Sequence, residues 1–136
     1  MSAMAHKGAL VRHLAWLPIG ELRALLERAE VFVFTSKYEP FALTLLEAMS
    51  AGAAVIASAS GGNSEVIRNW RTGILVRPGS AKSVCVSASL LVISARLRGW
   101  LGGNAKAARS EASFDSFLES SKEFLSSAVS GGQLDQ

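Results

Sequence analysis

The chain has 136 residues, 49% of them hydrophobic, and a formal net charge of +3 at pH 7. This length predicts one small domain with an apolar core. Its lysines and arginines are scattered singly, a distribution that does not favour a nucleic-acid surface. The single cysteine, Cys85, excludes an internal disulfide and fits a reducing compartment, and its valine neighbours predict a buried thiol.

The N-terminal segment predicts no targeting or membrane element. Residues 1–8 lack an apolar core long enough for a signal peptide, and we expect them to form a flexible leader. The most apolar stretch, residues 84–95, is too short and too often interrupted by serine to span a bilayer. The expected location is therefore cytoplasmic, with no transmembrane segment.

The first predicted elements are a strand over residues 10–16 and an amphipathic helix over residues 19–29. Leucines at positions 22, 25 and 26 share one face of this helix, and charged residues lie elsewhere on it. Leu17 and Pro18 form the turn between the strand and the helix.

A strand–helix–strand unit follows. Residues 31–34 form a β-branched and aromatic run that is typical of a strand buried on both faces. Pro40 suits the first turn of a helix over residues 41–50, which is rich in leucine, alanine and methionine. A second apolar strand over residues 53–58 completes a βαβ unit, and this unit implies a parallel sheet.

The rest of the chain predicts one more strand and several helices. A serine- and glycine-rich loop leads to a short helix over residues 64–69 and a strand over residues 74–76. Helices are then predicted over residues 80–101, 104–113 and 114–129, with a break at Gly102 and Gly103. The domain is expected to cover residues 9–129, and residues 130–136 are expected to be a disordered tail.

Glu47 is the only ionisable residue between Glu39 and Glu65, and its neighbours are leucine, alanine and methionine. An unpaired carboxylate in apolar surroundings costs several kcal/mol. We therefore expect Glu47 either to find a buried donor or to line a cleft where a ligand supplies one.

The predicted βαβ unit also indicates where a ligand would bind. Ligands of such units sit at the carboxyl ends of the strands, against the helix N-terminus. Glu39 lies at that point, and Glu47 lies about two turns along the helix. The backbone N–H groups of Ala42, Leu43 and Thr44 would face an anion there. This arrangement predicts a diphosphate site flanked by two carboxylates, which fits a nucleotide sugar.

The same stretch resembles the signature of retaining family 4 glycosyltransferases. The resemblance runs from about Val11 to near Phe124 and includes the Glu-x7-Glu pair of that family, matched by Glu39 and Glu47. Its other elements are Pro-Phe-Ala-Leu at 40–43, Leu-Glu-Ala-Met at 46–49, Gly52, Val-Ile-Ala-Ser at 55–58 and Gly-Gly-x-x-Glu-Val-Ile at 61–67. The resemblance implies part of the C-terminal, donor-binding domain of a GT-B fold. The implied class is α/β, a partial Rossmann-like domain with a mostly parallel sheet of about four strands flanked by helices.

The resemblance also implies roles for individual residues. Glu39 is the predicted catalytic residue and contacts hydroxyls of the donor sugar, and Glu47 holds the ribose hydroxyls. Leu17 and Pro18 lie beside the nucleotide base. The sugar and diphosphate are met by Pro40, Phe41, Ala42, Leu43 and Thr44. One departure from the signature is Ala42, where the family usually has glycine and where a β-carbon would obstruct a close approach.

The implied reaction transfers a sugar from a nucleotide diphosphate to an unknown acceptor, with retention at the anomeric carbon. The diphosphate departs and the acceptor attacks from the same face. No side chain is an evident nucleophile and no metal-ligand cluster is evident, so neither a cofactor nor a metal is predicted. The predicted partners are the nucleotide sugar and the acceptor.

The N-terminal half of such enzymes, and two βα units of the second half, have no counterpart in this sequence. In a sheet of order 3-2-1-4-5-6, the strand over residues 10–16 would lie about 14 Å from the strand over residues 31–34. The chain is then a fragment, a subunit that needs a partner chain, or a compact domain in which the first strand slides beside residues 31–34. A non-catalytic module that binds a nucleotide sugar or complements a partner chain is the alternative function.

Overall fold

The computed structural model describes residues 2–6, 9–37 and 43–111. The elements, in chain order, are β1 (Ser2–His6), β2 (Ala9–His13), α1 (Ile19–Arg28), β3 (Val31–Phe34), α2 (Leu43–Ala51), β4 (Ala54–Ser58), α3 (Asn63–Val66), β5 (Ile74–Val76), α4 (Ala81–Ile93) and α5 (Ala95–Glu111). The helix predicted over residues 114–129 and the tail over residues 130–136 lie outside the described residues.

β3, β4 and β5 form a parallel sheet with β4 at its centre. Val31 lies opposite Ala54, and Ile56 lies opposite Ile74. Every residue of β4 is buried, as expected for a strand that is covered on both faces. The predicted α/β class, with a parallel sheet flanked by helices, is therefore confirmed.

Two apolar clusters cover the two faces of this sheet. Successive side chains of a strand point to opposite faces, so neighbouring residues of β4 fall into different clusters. The cluster beneath α1 and α2 contains Leu26, Leu45, Met49, Val55 and Ala57. The cluster beneath α4 and α5 contains Ala54, Ile56, Ile74, Leu91 and Leu101.

β1 and β2 form a separate antiparallel hairpin, in which Ser2 lies opposite His13 and His6 opposite Ala9. The flexible leader predicted over residues 1–8 is wrong for residues 2–6, because pairing with β2 orders them as a strand. β2 does not join the parallel sheet. The compact arrangement in which the first strand slides beside β3 is therefore not adopted.

The break predicted at Gly102 and Gly103 is wrong, because α5 continues through both residues. The chain bends earlier, at Ser94, whose Oγ accepts a hydrogen bond from the N–H of Leu97 at 3.2 Å. Gly102 instead permits a close contact, since a β-carbon there would lie 2.1 Å from the carbonyl oxygen of Gly52. This glycine serves helix packing and not helix termination.

Two further expectations concern α4. Cys85 is exposed and not buried, because the buried positions of this helix are Ser87 and Leu91 and Cys85 lies about 200° around the helix from Ser87. No single helix of the described residues is long and apolar enough to cross a membrane. α4 and residues Ala95–Arg109 reach that threshold only when counted together, across a bend of 104°.

Candidate functional site

The candidate site is the edge of the sheet where the parallel strands end. β3 and β4 are parallel, so their carboxyl ends lie at the same edge. α2 connects the end of β3 to the start of β4, which brings its N-terminus back to that edge. The C-terminal end of α1 is joined by a short connection to the start of β3. The N-terminus of α1 therefore also lies at the carboxyl edge of the sheet. The Leu17–Pro18 turn, the start of α2 and the loop after β4 therefore share one edge.

A hydrogen bond joins the loops that follow β3 and β4. The Ser60 hydroxyl donates to the carbonyl oxygen of Ser36 at 3.1 Å, and the Ser60 N–H donates to the carbonyl oxygen of Ser58 at 2.8 Å. These contacts fix the loop after β4 against the end of β3. The serine- and glycine-rich composition of this loop allows the tight turn.

Asn63 is a residue of this edge that the sequence analysis did not single out. Its side chain is fully buried, and its Nδ2 donates to the carbonyl oxygen of Ser58 at 3.1 Å. Its Oδ1 has no hydrogen-bond partner among the described residues. The available signal was an amide residue directly after a buried strand and two glycines. Asn63 therefore fixes the C-terminal end of β4 through its Nδ2. Its Oδ1 is a buried acceptor near the candidate site.

Glu47 lies on the exposed face of α2, four residues after Leu43, which is also exposed. The buried face of the helix is formed by Leu45, Ala48 and Met49. The expectation of a buried donor for Glu47 is therefore wrong, because the helix turns this carboxylate away from the core. Its exposure is compatible with the other expectation, a position lining a cleft.

The other predicted site residues fall into three groups. Leu43 and Thr44 begin α2. Leu17 is half-buried and Pro18 is exposed, and the Pro18 carbonyl oxygen accepts from the N–H groups of the first turn of α1 at 3.0 Å. The four residues Glu39, Pro40, Phe41 and Ala42 lie outside the described residues, so their expected roles stay predictions.

The start of α2 contributes a positive partial charge to this edge through its backbone dipoles. The first N–H groups of an α-helix lack intrahelical partners and carry a partial positive charge. The first turn of α2 contains no acidic side chain that would cancel this charge. Within the described residues, no three His, Cys, Asp or Glu side chains lie together in a way that could hold a metal ion.

The sequence profile described as "Glycosyl transferases group 1" matches residues 2–122. Among curated proteins, α-maltose-1-phosphate synthase of Mycolicibacterium smegmatis is 48% identical over 60 residues, which are 44% of this chain and 16% of that protein. The chain therefore spans only a small part of the length of such relatives.

Solved structures of related proteins share the fold. The C-terminal domain of a glycosyl transferase group 1 family protein (LpcC) from Francisella tularensis is 27% identical, with a TM-score of 0.66. The match covers 74% of this chain and 51% of that domain. Anabaena HepE in complex with UDP-glucose is 25% identical, with a TM-score of 0.71 over 79% of this chain and 30% of HepE. The fold is thus that of a Rossmann-like GT-B domain.

Proposed function

Because this chain belongs to the glycosyl transferases group 1 family, we propose that it is the donor-binding portion of a retaining enzyme of family 4. It would bind a nucleotide sugar whose sugar is passed to an acceptor. The observation that carries this proposal is the likeness over 79% of the chain to a protein solved with UDP-glucose. The carboxyl edge of β3 and β4 is the proposed donor site.

The N-terminus of α2 is the proposed seat of the diphosphate. A helix N-terminus binds phosphate groups through its backbone N–H groups and its dipole. Leu43 and Thr44 begin this helix, and no carboxylate in its first turn opposes an anion. Pro40, Phe41 and Ala42 precede it in the chain, and we assign their backbone to the same sugar–diphosphate contact.

Glu47 is the proposed ligand of the ribose hydroxyls. It is exposed on α2 one turn after Leu43, about 6 Å along the helix axis. In a nucleotide the ribose is bonded directly to the diphosphate, so a carboxylate one turn from the helix start suits the adjacent sugar hydroxyls. Glu39 is assigned to hydroxyls of the transferred sugar, and the Leu17–Pro18 turn to the base.

The proposed reaction is substitution at the anomeric carbon of the donor. The bond from that carbon to the diphosphate oxygen breaks, and the acceptor oxygen bonds to the same face and passes its proton to the departing diphosphate oxygen. Negative charge develops on the leaving diphosphate, and the dipole of α2 would stabilise this charge where it forms. We propose that no cofactor other than the nucleotide sugar takes part.

We also propose that the complete site needs a companion segment, in the same polypeptide or in another, that pairs with β3. Within the described part of the chain, β3 pairs with a strand on one side only. Its sequence, Val-Phe-Val-Phe, has none of the charges or prolines that commonly protect an edge strand. The Francisella tularensis C-terminal domain has nearly half its length outside the match.

A second candidate function is a non-catalytic module that holds a nucleotide sugar or complements a partner chain. The unpaired side of β3 favours this candidate, because an edge strand without protecting residues presents a template for another strand. The two candidates differ in whether the assembled complex transfers sugar.

Thermal unfolding with nucleotides tests donor binding. The chain would be melted alone and with UDP, GDP, ADP and their sugar conjugates, each also with Glu47→Ala. A ligand at about a hundred times its Kd adds about 2.7 kcal/mol to the free energy of unfolding. We expect one nucleotide to raise the Tm by several degrees and the Glu47→Ala variant to lose most of that rise.

Glu27→Ala is the matched control, because Glu27 is also exposed on a helix but lies toward the C-terminal end of α1, away from the carboxyl edge. It should keep the full nucleotide effect. Both candidate functions would be contradicted if no nucleotide raised the Tm, either of the chain alone or of the chain with an added companion segment. Sugar transfer by the chain together with its companion segment would support the enzyme and exclude the non-catalytic module.

A further inference from the structure

Trp70 has a backbone conformation that is unusual for a large side chain. Its φ is +60°, and it is the only non-glycine residue with positive φ in the described part of the chain. Left-handed φ angles crowd the β-carbon of any L-residue, and outliers of this kind concentrate at functional sites. A tryptophan at this position therefore calls for an explanation that glycine would not need.

Hydrogen bonds within the turn hold Trp70 in this conformation. The Trp70 N–H donates to the Gly73 carbonyl oxygen at 2.8 Å. The N–H groups of Arg71 and Thr72 both donate to the Arg68 carbonyl oxygen at 2.9 Å. In return, the Arg68 N–H donates to the Thr72 hydroxyl at 2.9 Å. The turn is thus closed by its own backbone.

Contacts with neighbouring elements fix the turn on the domain. The N–H of Leu75 donates to Asn69 Oδ1 at 2.9 Å, and Asn104 Nδ2 donates to the Arg71 carbonyl oxygen at 3.1 Å. A β-carbon on Gly73 would approach the nearest core side chain to 2.5 Å, so the turn is pressed onto the core. These contacts fix the residues on both sides of Trp70, yet Trp70 itself stays 48% exposed.

The Trp70 side chain lines an open groove of about 320 Å³ between β5 and α4. Leu75 and Val86 add apolar surface to this groove, and Arg77, Lys82 and Ser83 also line it. Among the described residues, no acidic side chain lines it. Neither Arg77 nor Lys82 forms an ion pair with any residue that the structure describes. The groove therefore brings together an indole and two cations that have no ion-pair partner among the described residues.

This combination fits a sugar that carries a negative charge. The C–H face of a pyranose ring packs well on an indole, which buries apolar area without giving up sugar hydroxyl hydrogen bonds. The two cations would meet a phosphate attached to the ring. A bare phosphate would leave the indole unused, and a neutral sugar would leave the charges unused.

We propose that this groove, lined by Trp70, Arg77 and Lys82, is an accessory binding site for a phosphorylated sugar. It lies along β5 and α4, whereas the proposed donor site lies at the end of β3 and on α2. The two sites are therefore formed by different elements, and a separate measurement tests each of them.

The test is an NMR titration of the full chain, following the three indole N–H signals. Trp16→Phe and Trp100→Phe assign the signals and leave Trp70 intact. We expect glucose 1-phosphate to shift the Trp70 signal in a saturable manner. Glucose and inorganic phosphate, added separately, should each bind at least about tenfold more weakly.

Two groove variants and one control complete the experiment. Trp70→Gly suits the positive φ, so we expect its Tm to rise while glucose 1-phosphate affinity falls at least about tenfold. Lys82→Met should weaken the binding of glucose 1-phosphate and leave the weak binding of glucose unchanged. Trp100→Phe should alter neither, because Trp100 does not line the groove.

Three results would overturn the proposal. One is a Trp70 signal that does not move with millimolar glucose 1-phosphate. Another is equal binding of inorganic phosphate and glucose 1-phosphate, which would reduce the groove to a simple anion site. The last is undiminished glucose 1-phosphate binding by a folded Trp70→Gly variant. Nucleotide melting with Glu47→Ala reports on the donor site whatever these results are.

Discussion

Gly102 and Gly103 are neighbours in the sequence with opposite roles in the structure. Gly102 is buried in the middle of α5, against the carbonyl oxygen of Gly52. Gly103 is exposed, and a β-carbon added there would meet nothing within 4 Å. Only Gly102 is therefore required by packing. Gly103 destabilises the helix relative to alanine, because glycine loses more conformational entropy on folding, and no packing contact compensates for this loss.

We expect alanine substitutions at these two positions to change stability in opposite directions. Gly102→Ala should lower the free energy of unfolding by about 1–3 kcal/mol, because the added methyl group forces α5 away from the start of β4. Gly103→Ala should raise it by about 0.5–1 kcal/mol through helix propensity. Urea unfolding of both variants measures the difference. Equal effects would mean that the close contact at Gly52 does not constrain the helix.

At the scale of the elements, the bend between α4 and α5 depends on Arg98. The last carbonyl oxygens of a helix lack intrahelical partners. One guanidinium nitrogen of Arg98 donates to the carbonyl oxygens of Leu91 at 2.6 Å and Val92 at 2.9 Å. Its other terminal nitrogen lies 3.2 Å from the carboxylate of Glu30, just before β3. Arg98 thus caps α4 and joins the bend to the sheet.

Replacing Arg98 should cost more than removing its ion pair. Arg98→Leu leaves two carbonyl groups without their donor, and we expect a loss of about 1–3 kcal/mol in the free energy of unfolding. Glu30→Gln should cost less than about 1 kcal/mol, because that side chain is 76% exposed and surface ion pairs contribute little. Thermal melts of the two variants compare these effects. A larger loss of unfolding free energy in Glu30→Gln than in Arg98→Leu would mean that the ion pair, and not the contact with the two carbonyl oxygens, is the main contribution of Arg98.

The strands and helices of the βαβ unit could be predicted because local pattern and tertiary context agree there. The Val-Phe-Val-Phe run and the apolar run of β4 both form strands close to their predicted bounds. Burial on both faces holds for β4 only, because β3 is half-buried and its Val33 is exposed. The Gly102–Gly103 break could not be predicted correctly, since glycine inside a helix looks the same whether it ends the helix or admits another backbone. Only the distant Gly52 decides between the two.

The candidate site was only partly predictable for similar reasons. The spacing of Glu47 on its helix placed it on α2, but its exposed direction depended on which face Leu45 and Met49 bury. Asn63 was missed because one buried amide leaves no periodic signal in a sequence. The left-handed backbone of Trp70 was also hidden, because nothing about a tryptophan indicates positive φ.

At the scale of the whole molecule, the two outer edges of the parallel sheet differ. On β5, the outward N–H of Leu75 is already bound by the Asn69 side chain. On β3, the Ala54 N–H donates to the Glu30 carbonyl oxygen. With the register between the two strands, this bond means that the backbone N–H groups of Phe32 and Phe34 point toward β4. The N–H groups of Val31 and Val33 consequently point to the side on which no strand of the described residues pairs with β3.

Amide hydrogen exchange should reveal this alternation. We expect the Phe32 and Phe34 amides to be protected and the Val31 and Val33 amides to exchange rapidly in the isolated chain. A companion segment that pairs with β3 should protect Val31 and Val33 selectively. Uniform slow exchange along β3 in the isolated chain would show that its edge is already covered, and the proposed companion would then need another docking surface.

The contact between Gly52 and Gly102 also bears on the order in which the chain folds. These residues are about fifty positions apart, so their meeting closes a long loop, whereas β3, α2 and β4 are adjacent along the chain. We expect the βαβ unit to form in the transition state and α5 to dock after it. In stopped-flow measurements, Gly102→Ala should then accelerate unfolding and leave the refolding rate nearly unchanged. A single methyl group at the crossing would thus shorten the lifetime of the native state without delaying its formation.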